Sequence, residues 1–268
     1  GTCADAARPG AFIAHGYLGT APEAYQGMVD HLVRSGFVVV FPGYTPEYDP
    51  PHQYDVVDTG FVLGATASGR VDLSRIGVIG HSFGGGMGPW LLQRAVARGW
   101  GSAALWSVIM APWFALQVGT GPIELPARAR VTVVNYDEDV VVDARIGIEI
   151  LRSLTLDRSH TAHVTVHTDR TVDPPLFADH LGPVSVEAVP FLGDISTDHG
   201  DRWSTWRTID SVAGCALDGR WCDTDLGDMG TWPDGHAVAR AEVSDDPVDV
   251  GPPAFQECDF PLNPRPCP

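Results

Sequence analysis

Short apolar runs alternate along the chain with longer stretches whose apolar residues recur at helical spacing. "AFIAHG" (11–16) is a brief apolar run closed by glycine, the pattern of a buried strand. "PEAYQGMVDHLVRSG" (22–36) follows with helical spacing and a terminal glycine suited to a C-cap. "FVVVFPGY" (37–44) is β-branched and aromatic, is bounded by Pro and Gly, and predicts a central strand. After a loop rich in Pro and Asp the spacing predicts a helix over about 53–66, then a strand at "RIGVIGH" (75–81) and a helix over "GGGMGPWLLQRAVARG". Strands are expected at 102–113, 130–139 and 162–169, with helices at 140–154 and 201–217. Such alternation predicts an α/β protein with a mostly parallel sheet covered by helices on both faces.

The last segment breaks the pattern. From Pro233 to Pro268 there are eight prolines in 36 residues and no periodicity. The expected organisation is one catalytic-size domain over 1–222 and an irregular, Pro-rich extension over 223–268. Cysteines change the picture there. Cys215 and Cys222 lie seven apart, and Cys258 and Cys267 nine apart, in short polar or Pro-rich segments. Two local disulfides would each contribute about 2–3 kcal/mol by loop entropy. They would imply an oxidising, extracytoplasmic location and leave Cys3 over; the alternative is a set of reduced cytosolic thiols. The chain starts at Gly1, which reads as a processed or trimmed product.

Charge narrows the partners. Seventeen Arg and no Lys stand against 34 acidic residues, for a net charge of −17. Nucleic acid needs a basic surface, and anionic membranes attract one, so neither is an expected partner. No apolar run approaches the ~18 residues that span a bilayer, so no membrane insertion is expected.

The candidate chemistry centres on Gly80-His81-Ser82-Phe83-Gly84, a G-x-S-x-G sequence between a predicted strand and a predicted helix. The glycines either serve only a tight turn or hold Ser82 out as a nucleophile. A serine hydroxyl needs a base, and the base needs an orienting carboxylate. In this architecture they follow in the order acid, then histidine. "VTVVNYDEDVVVD" offers Asp139 where strand gives way to helix, with Asp137 as the fallback. His180 lies in a loop long enough to reach over the sheet edge, and it is preferred to His199, which stands just before the last helix. The oxyanion hole needs two backbone amides. Phe83 follows the nucleophile, and Tyr17 follows the first strand in "AHGYLG" (14–19). His15 reads as structural. His160, His163 and His167 resemble a ligand cluster, yet they lie on or beside one strand, and there is no CxxC pair with zinc spacing. No metal and no organic cofactor are expected.

"FIAHGYLGT", "HLVRSGFVVVFPGY", "RIGVIGHSFGGGMG" and "NYDEDVVVD", in this order and spacing, resemble the α/β-hydrolase superfamily over about residues 10 to 215. The most similar members are serine esterases related to cutinases, polyester hydrolases and platelet-activating-factor acetylhydrolases. The resemblance implies the α/β-hydrolase fold and a serine carboxylester hydrolase acting on short-chain or polymeric esters. It also implies an aromatic oxyanion residue at Tyr17 and a groove-lining Trp113 in "MAPW". Only about ten residues precede the HG loop, where that family has one or two further strands, so either the N-terminus is truncated or the sheet is shorter. Without a long cap insertion between 111 and 130, an open, shallow site is expected. An amidase or thioesterase on the same residues, an inactive binding protein, and a cofactor-free haloperoxidase or lyase are the rival readings.

Overall fold

A computed structural model describes residues 6–44, 49–173, 175–189, 193–248 and 251–268. The first apolar run becomes β1 (Arg8–Ala14), followed by α1 (Gln26–Arg34) and β2 (Val38–Val40). Next come α2 (Pro50–Ser68), β3 (Val71–His81), α3 (Phe83–Ala97) and β4 (Ala104–Met110). β5 (Ala129–Tyr136), α4 (Ala144–Ser153) and β6 (Thr161–Val166) continue the alternation. A two-stranded antiparallel ribbon of β7 (Val186–Val189) and β8 (Gly193–Ile195) precedes α5 (Arg207–Asp218), and β9 (Glu242–Ser244) comes last.

Seven strands form one sheet in the order β2-β1-β3-β4-β5-β6-β9. Every neighbouring pair is parallel except β6 with β9. The chain starts in the interior of the sheet, steps outward once to β2, and then crosses β1 to build toward the other edge. This is the order of the α/β-hydrolase fold, and ligands of open α/β sheets gather at the carboxyl ends of strands near such a reversal.

Side chains alternate between two cores, which explains the near-continuous apolar character of the strands. Phe12, Val78, Ile109 and Val133 face one side, where α2, α3 and α4 cover the sheet. Ile13, Ile79, Val108 and Val134 face the other, covered by α1 and α5. Burying a side chain of this kind contributes about 1.5–3 kcal/mol.

Four expectations shift. The central strand expected over 37–44 is instead β2 at one end of the sheet order, and it shortens because Pro42 cannot continue the ladder. The helix expected from 140 starts only at Ala144, because Asp143 is its N-cap, accepting from the Arg145 amide at 2.9 Å. The helix expected over 201–217 opens with a π-helical turn over Asp201–Trp206 before α5 begins. Finally, the expected irregular tail contributes β9, three residues paired with His163–Thr165, too short to leave a period in the sequence.

The cysteines pair as Cys215–Cys222 and Cys258–Cys267, and Cys3 lies outside the described residues. The two bridges fit an oxidising environment. No helix among the described residues is long and apolar enough to cross a membrane.

Candidate active site

Ser82 sits where β3 gives way to α3, with φ 54° and ψ −120°, a conformation rarely adopted by a residue carrying a Cβ. Its neighbours make the turn possible. A Cβ at Gly84 would stand 2.0 Å from the Ala14 carbonyl oxygen, and one at Gly80 2.5 Å from that of Gly84. Both positions therefore exclude any larger residue. Backbone hydrogen bonds then lock the strained residue from two sides. The Ser82 amide donates to Met110 O at 3.0 Å, and Ser82 O accepts from the Trp113 amide at 2.8 Å. Strain held by so many partners is a mark of functional turns.

The hydroxyl of Ser82 lies 2.9 Å from Nε2 of His180, and Nδ1 of His180 lies 2.8 Å from Oδ2 of Asp139. His180 Nδ1–H donates to the carboxylate, so Nε2 is left to accept from the serine. The other oxygen of Asp139 accepts the amides of Val141 at 2.8 Å and Val142 at 3.0 Å. Both carboxylate oxygens are thus engaged, which fixes the plane of the group. All three residues are buried. The acid loop and the histidine loop are also tied directly, since the Glu138 amide donates to Ala178 O at 2.9 Å.

The remaining candidates fall into two groups. Asp137 accepts from His167 Nδ1 and from the Thr168 amide, while the carboxylate bonded to His180 is that of Asp139. His199 donates Nε2–H to Met229 O and stacks beside Trp203, so it belongs to the start of the last helix. His160 binds Ala127 O, His163 lies in the core with its Nε2 unpartnered, and His167 takes Asp137; these three do not converge.

The turn also brings the amide candidates together. Phe83 is the first residue of α3, so its N–H has no carbonyl four residues back to satisfy it. The ring of Tyr17 meets that of Phe83 edge-on with centroids 6.1 Å apart. The loop bearing Tyr17 passes so close that a Cβ on Gly16 would be 3.3 Å from Ser82 Cβ. His15 anchors this loop. Its Nδ1–H donates to Gly16 O at 2.7 Å, its ring stacks on Tyr44 at 3.9 Å, and burial lowers its pKa to about 4. A neutral, fully engaged imidazole serves as a post. Trp113 packs on Phe83 with ring centroids 5.2 Å apart.

Two features carry no signal in the sequence reading. The C-terminal segment reaches the site: Phe255 and Gln256 amides donate to Val140 O and Val141 O, each at 2.8 Å. His81, the variable residue before the serine, is buried and bonded at both nitrogens, to the Tyr25 hydroxyl at 2.7 Å and to His180 O at 2.8 Å. Chemically, the arrangement presents a hydroxyl hydrogen-bonded to an imidazole, which is hydrogen-bonded in turn to a buried carboxylate, at the N-terminus of α3.

No protein-family profile and no curated protein sequence matches the chain. Solved structures do. An esterase of Pyrobaculum calidifontis is 17% identical with a TM-score of 0.45, covering 60% of this chain and 67% of that one. Carboxyl esterase 2 of the mycorrhizal fungus Tuber melanosporum is 18% identical with a TM-score of 0.45, covering 60% and 68%. A mutant of the esterase rPPE is 17% identical with a TM-score of 0.43, covering 62% and 66%.

Proposed function

We propose that the protein is a serine carboxylester hydrolase that works through an acyl-enzyme. The observation that carries this reading is the continuous chain Ser82 Oγ, His180 Nε2, His180 Nδ1, Asp139 Oδ2, with links of 2.9 and 2.8 Å. Ser82 Oγ attacks the ester carbonyl carbon while its proton passes to His180 Nε2, and Asp139 steadies the imidazolium that forms. The carbonyl oxygen takes up the electron pair and is met by the Tyr17 and Phe83 amides, a type of contact worth about 3–4 kcal/mol in the transition state. Collapse of this intermediate expels the alcohol, which receives the proton from His180. Water repeats the sequence on the acyl-enzyme, releasing the acid and restoring Ser82.

The surroundings favour apolar esters. Tyr17, Leu18, Val140 and Val141 are exposed on the two loops that hold the oxyanion amide and the acid, and Trp113 lies half-buried beside Phe83. Short-chain acyl groups and the repeating units of a polyester share this apolar, weakly charged character, and the two disulfides are compatible with action outside the cytoplasm.

Hydrolysis of p-nitrophenyl butyrate by the native chain and by Ser82→Ala tests the reading. Turnover that vanishes in the variant, with covalent labelling of Ser82 by an organophosphonate, is the expected result. Equal turnover in both proteins would remove Ser82 as the nucleophile, and none in a folded native chain would leave an inactive binding protein as the better account. Faster cleavage of an anilide or thioester than of the matched ester would move the assignment to an amidase or thioesterase.

A further inference from the structure

The His81 side chain makes two hydrogen bonds, and a third continues the line through Tyr25; the direction of each is determined. The His180 carbonyl can only accept, so His81 Nε2 carries the proton that it donates across 2.8 Å. Nδ1 of the neutral ring is then bare and accepts the phenolic proton of Tyr25 at 2.7 Å. The same phenolic oxygen accepts the amide of Gly16 at 2.8 Å. Gly16 immediately precedes Tyr17, a proposed oxyanion donor, and His81 immediately precedes Ser82. One line of bonds therefore runs from the oxyanion loop through the nucleophile turn to the backbone of the base.

We propose that His81 is a positioning residue for the general base: by holding the His180 carbonyl it sets where the His180 imidazole stands relative to Ser82. This rests on the serine-hydrolase reading. Asp139 controls only one end of His180, through Nδ1. A ring anchored at Nδ1 alone still swings with its loop, and a displacement of about 1 Å costs a reaction on the order of 10²-fold. The second anchor is the backbone carbonyl, and the residue that holds it is bonded to the nucleophile turn itself. The His81 and His180 ring centroids lie 5.0 Å apart with the rings tilted by 42°, and the hydrogen bond between the two residues runs from the His81 ring to the His180 backbone. Burial, together with the nearby His180, keeps His81 well below the ordinary imidazole range. It therefore stays neutral with its tautomer intact when His180 takes up the serine proton. Tyr25 is fully buried, so water does not compete for its hydroxyl.

His81→Leu and His81→Gln, each alone and in a His180→Ala background, test the idea with p-nitrophenyl butyrate. The Leu variant is expected to lose about 10²-fold in kcat with KM within about twofold of the native value. Gln retains an N–H that reaches the His180 carbonyl, and it should recover at least about tenfold of that loss. In the His180→Ala background the Leu substitution should cost less than about twofold, because the group it positions is gone. A kcat for His81→Leu within about threefold of native, a loss confined to KM, or an undiminished loss without His180 would each overturn the proposal. Should His81→Leu fail to fold, Tyr25→Phe replaces it. Removing the phenolic proton frees the His81 tautomer, and the same dependence on His180 is expected. Ser82→Ala distinguishes the two levels: an active Ser82→Ala enzyme refutes the hydrolase reading, whereas an inactive one beside a fully active His81→Leu refutes only the role of His81.

Discussion

Trp113 Nε1 donates to Gln256 Oε1 at 3.2 Å, joining two residues 143 positions apart. Trp113 packs on Phe83 beside the turn that bears Ser82, and Gln256 ties the Pro-rich C-terminal segment to it. Gln256 also runs beside the acid loop, where its carbonyl accepts the Asp143 amide at 3.1 Å.

From this contact follows an effect on binding rather than chemistry. Gln256→Leu leaves the backbone bonds to Val141 and Asp143 in place but releases the indole. With Trp113 free to turn, KM for p-nitrophenyl butyrate should rise several-fold while kcat stays within about twofold. Steady-state kinetics over an acyl-length series check this, and an unchanged KM across the series would remove Trp113 from the groove.

Asp139→Asn separates the acid from its fallback. The Asn oxygen keeps the Val141 and Val142 amides, so its NH₂ faces His180 Nδ1 and forces the imidazole proton onto Nε2. Nε2 then cannot accept from Ser82, and kcat should fall on the order of 10⁴-fold with little change in Tm. Asp137→Asn and His199→Ala should keep native kcat within a few-fold, since their hydrogen bonds go to His167, Thr168 and Met229.

Ser82's turn is legible in the sequence because its constraint is local: Gly80 and Gly84 are the only residues that fit, and both lie within two positions of the serine. The sheet is legible for a similar reason, since strands such as Ala11–Ala14 feed two cores and remain apolar throughout. His180 and His199 satisfy the same order rule, and only the path of the loop beside Tyr136 separates them. What leaves no mark are contacts between segments distant in sequence and lacking a period. Arg265 bonded to Glu149, β9 beside β6, and the line from Gly16 through Tyr25 to His81 are of this kind. A lone Tyr or Gln in a polar stretch carries no trace of the partner it meets.

Arg265 predicts how firmly the tail is held. Its side chain is 2% exposed, with Nε on both oxygens of Glu149 at 2.8 and 2.7 Å, and its other nitrogens reach Gly119 O, Gly121 O and Ser153 Oγ. Removing one partner of a buried ion pair costs about 3–5 kcal/mol, so Arg265→Ala should lower Tm by roughly 10 °C. Arg265→Ala combined with Glu149→Leu should recover part of that loss, because no unpaired charge remains. Calorimetry on the single and double variants decides it; a double variant no more stable than the single one would mean that the tail bonds, not the pair, dominate.

His163 makes the fold sensitive to acid. It is buried in β6 with Nε2 unpartnered, and burial alone lowers its pKa to about 4. Between pH 6.5 and 4 the unfolded chain binds a proton here that the native chain refuses. Stability is therefore lost as pH falls through that window, by roughly 3 kcal/mol. His163→Leu should flatten the fall in Tm between pH 6.5 and 4 while leaving Tm above pH 7 equal or higher. A parallel curve for the two proteins would assign the acid loss to His15 and His81, which burial lowers in the same direction.

Asp201 acts with the opposite sign. It opens the π-helical turn, where its Oδ2 accepts the Asp198 amide at 3.0 Å and Asp198 Oδ1 accepts the Asp201 amide at 3.1 Å. Its Oδ1 is buried without a partner. Burial raises its pKa to about 7; the hydrogen bond from the Asp198 amide pulls it down, the Asp198 carboxylate pushes it up, and Arg202 draws it down slightly. Between pH 4 and 7 the native chain keeps a proton that the unfolded chain has released. Stability from this group is therefore complete below about pH 4 and is lost as pH rises through 7, on the order of 4 kcal/mol. Asp201→Asn keeps the oxygen that accepts the Asp198 amide and cannot ionise. It should match the native Tm below about pH 4 and exceed it by several degrees at pH 8.5. Equal Tm values at pH 8.5 would mean that the native carboxylate ionises there without cost.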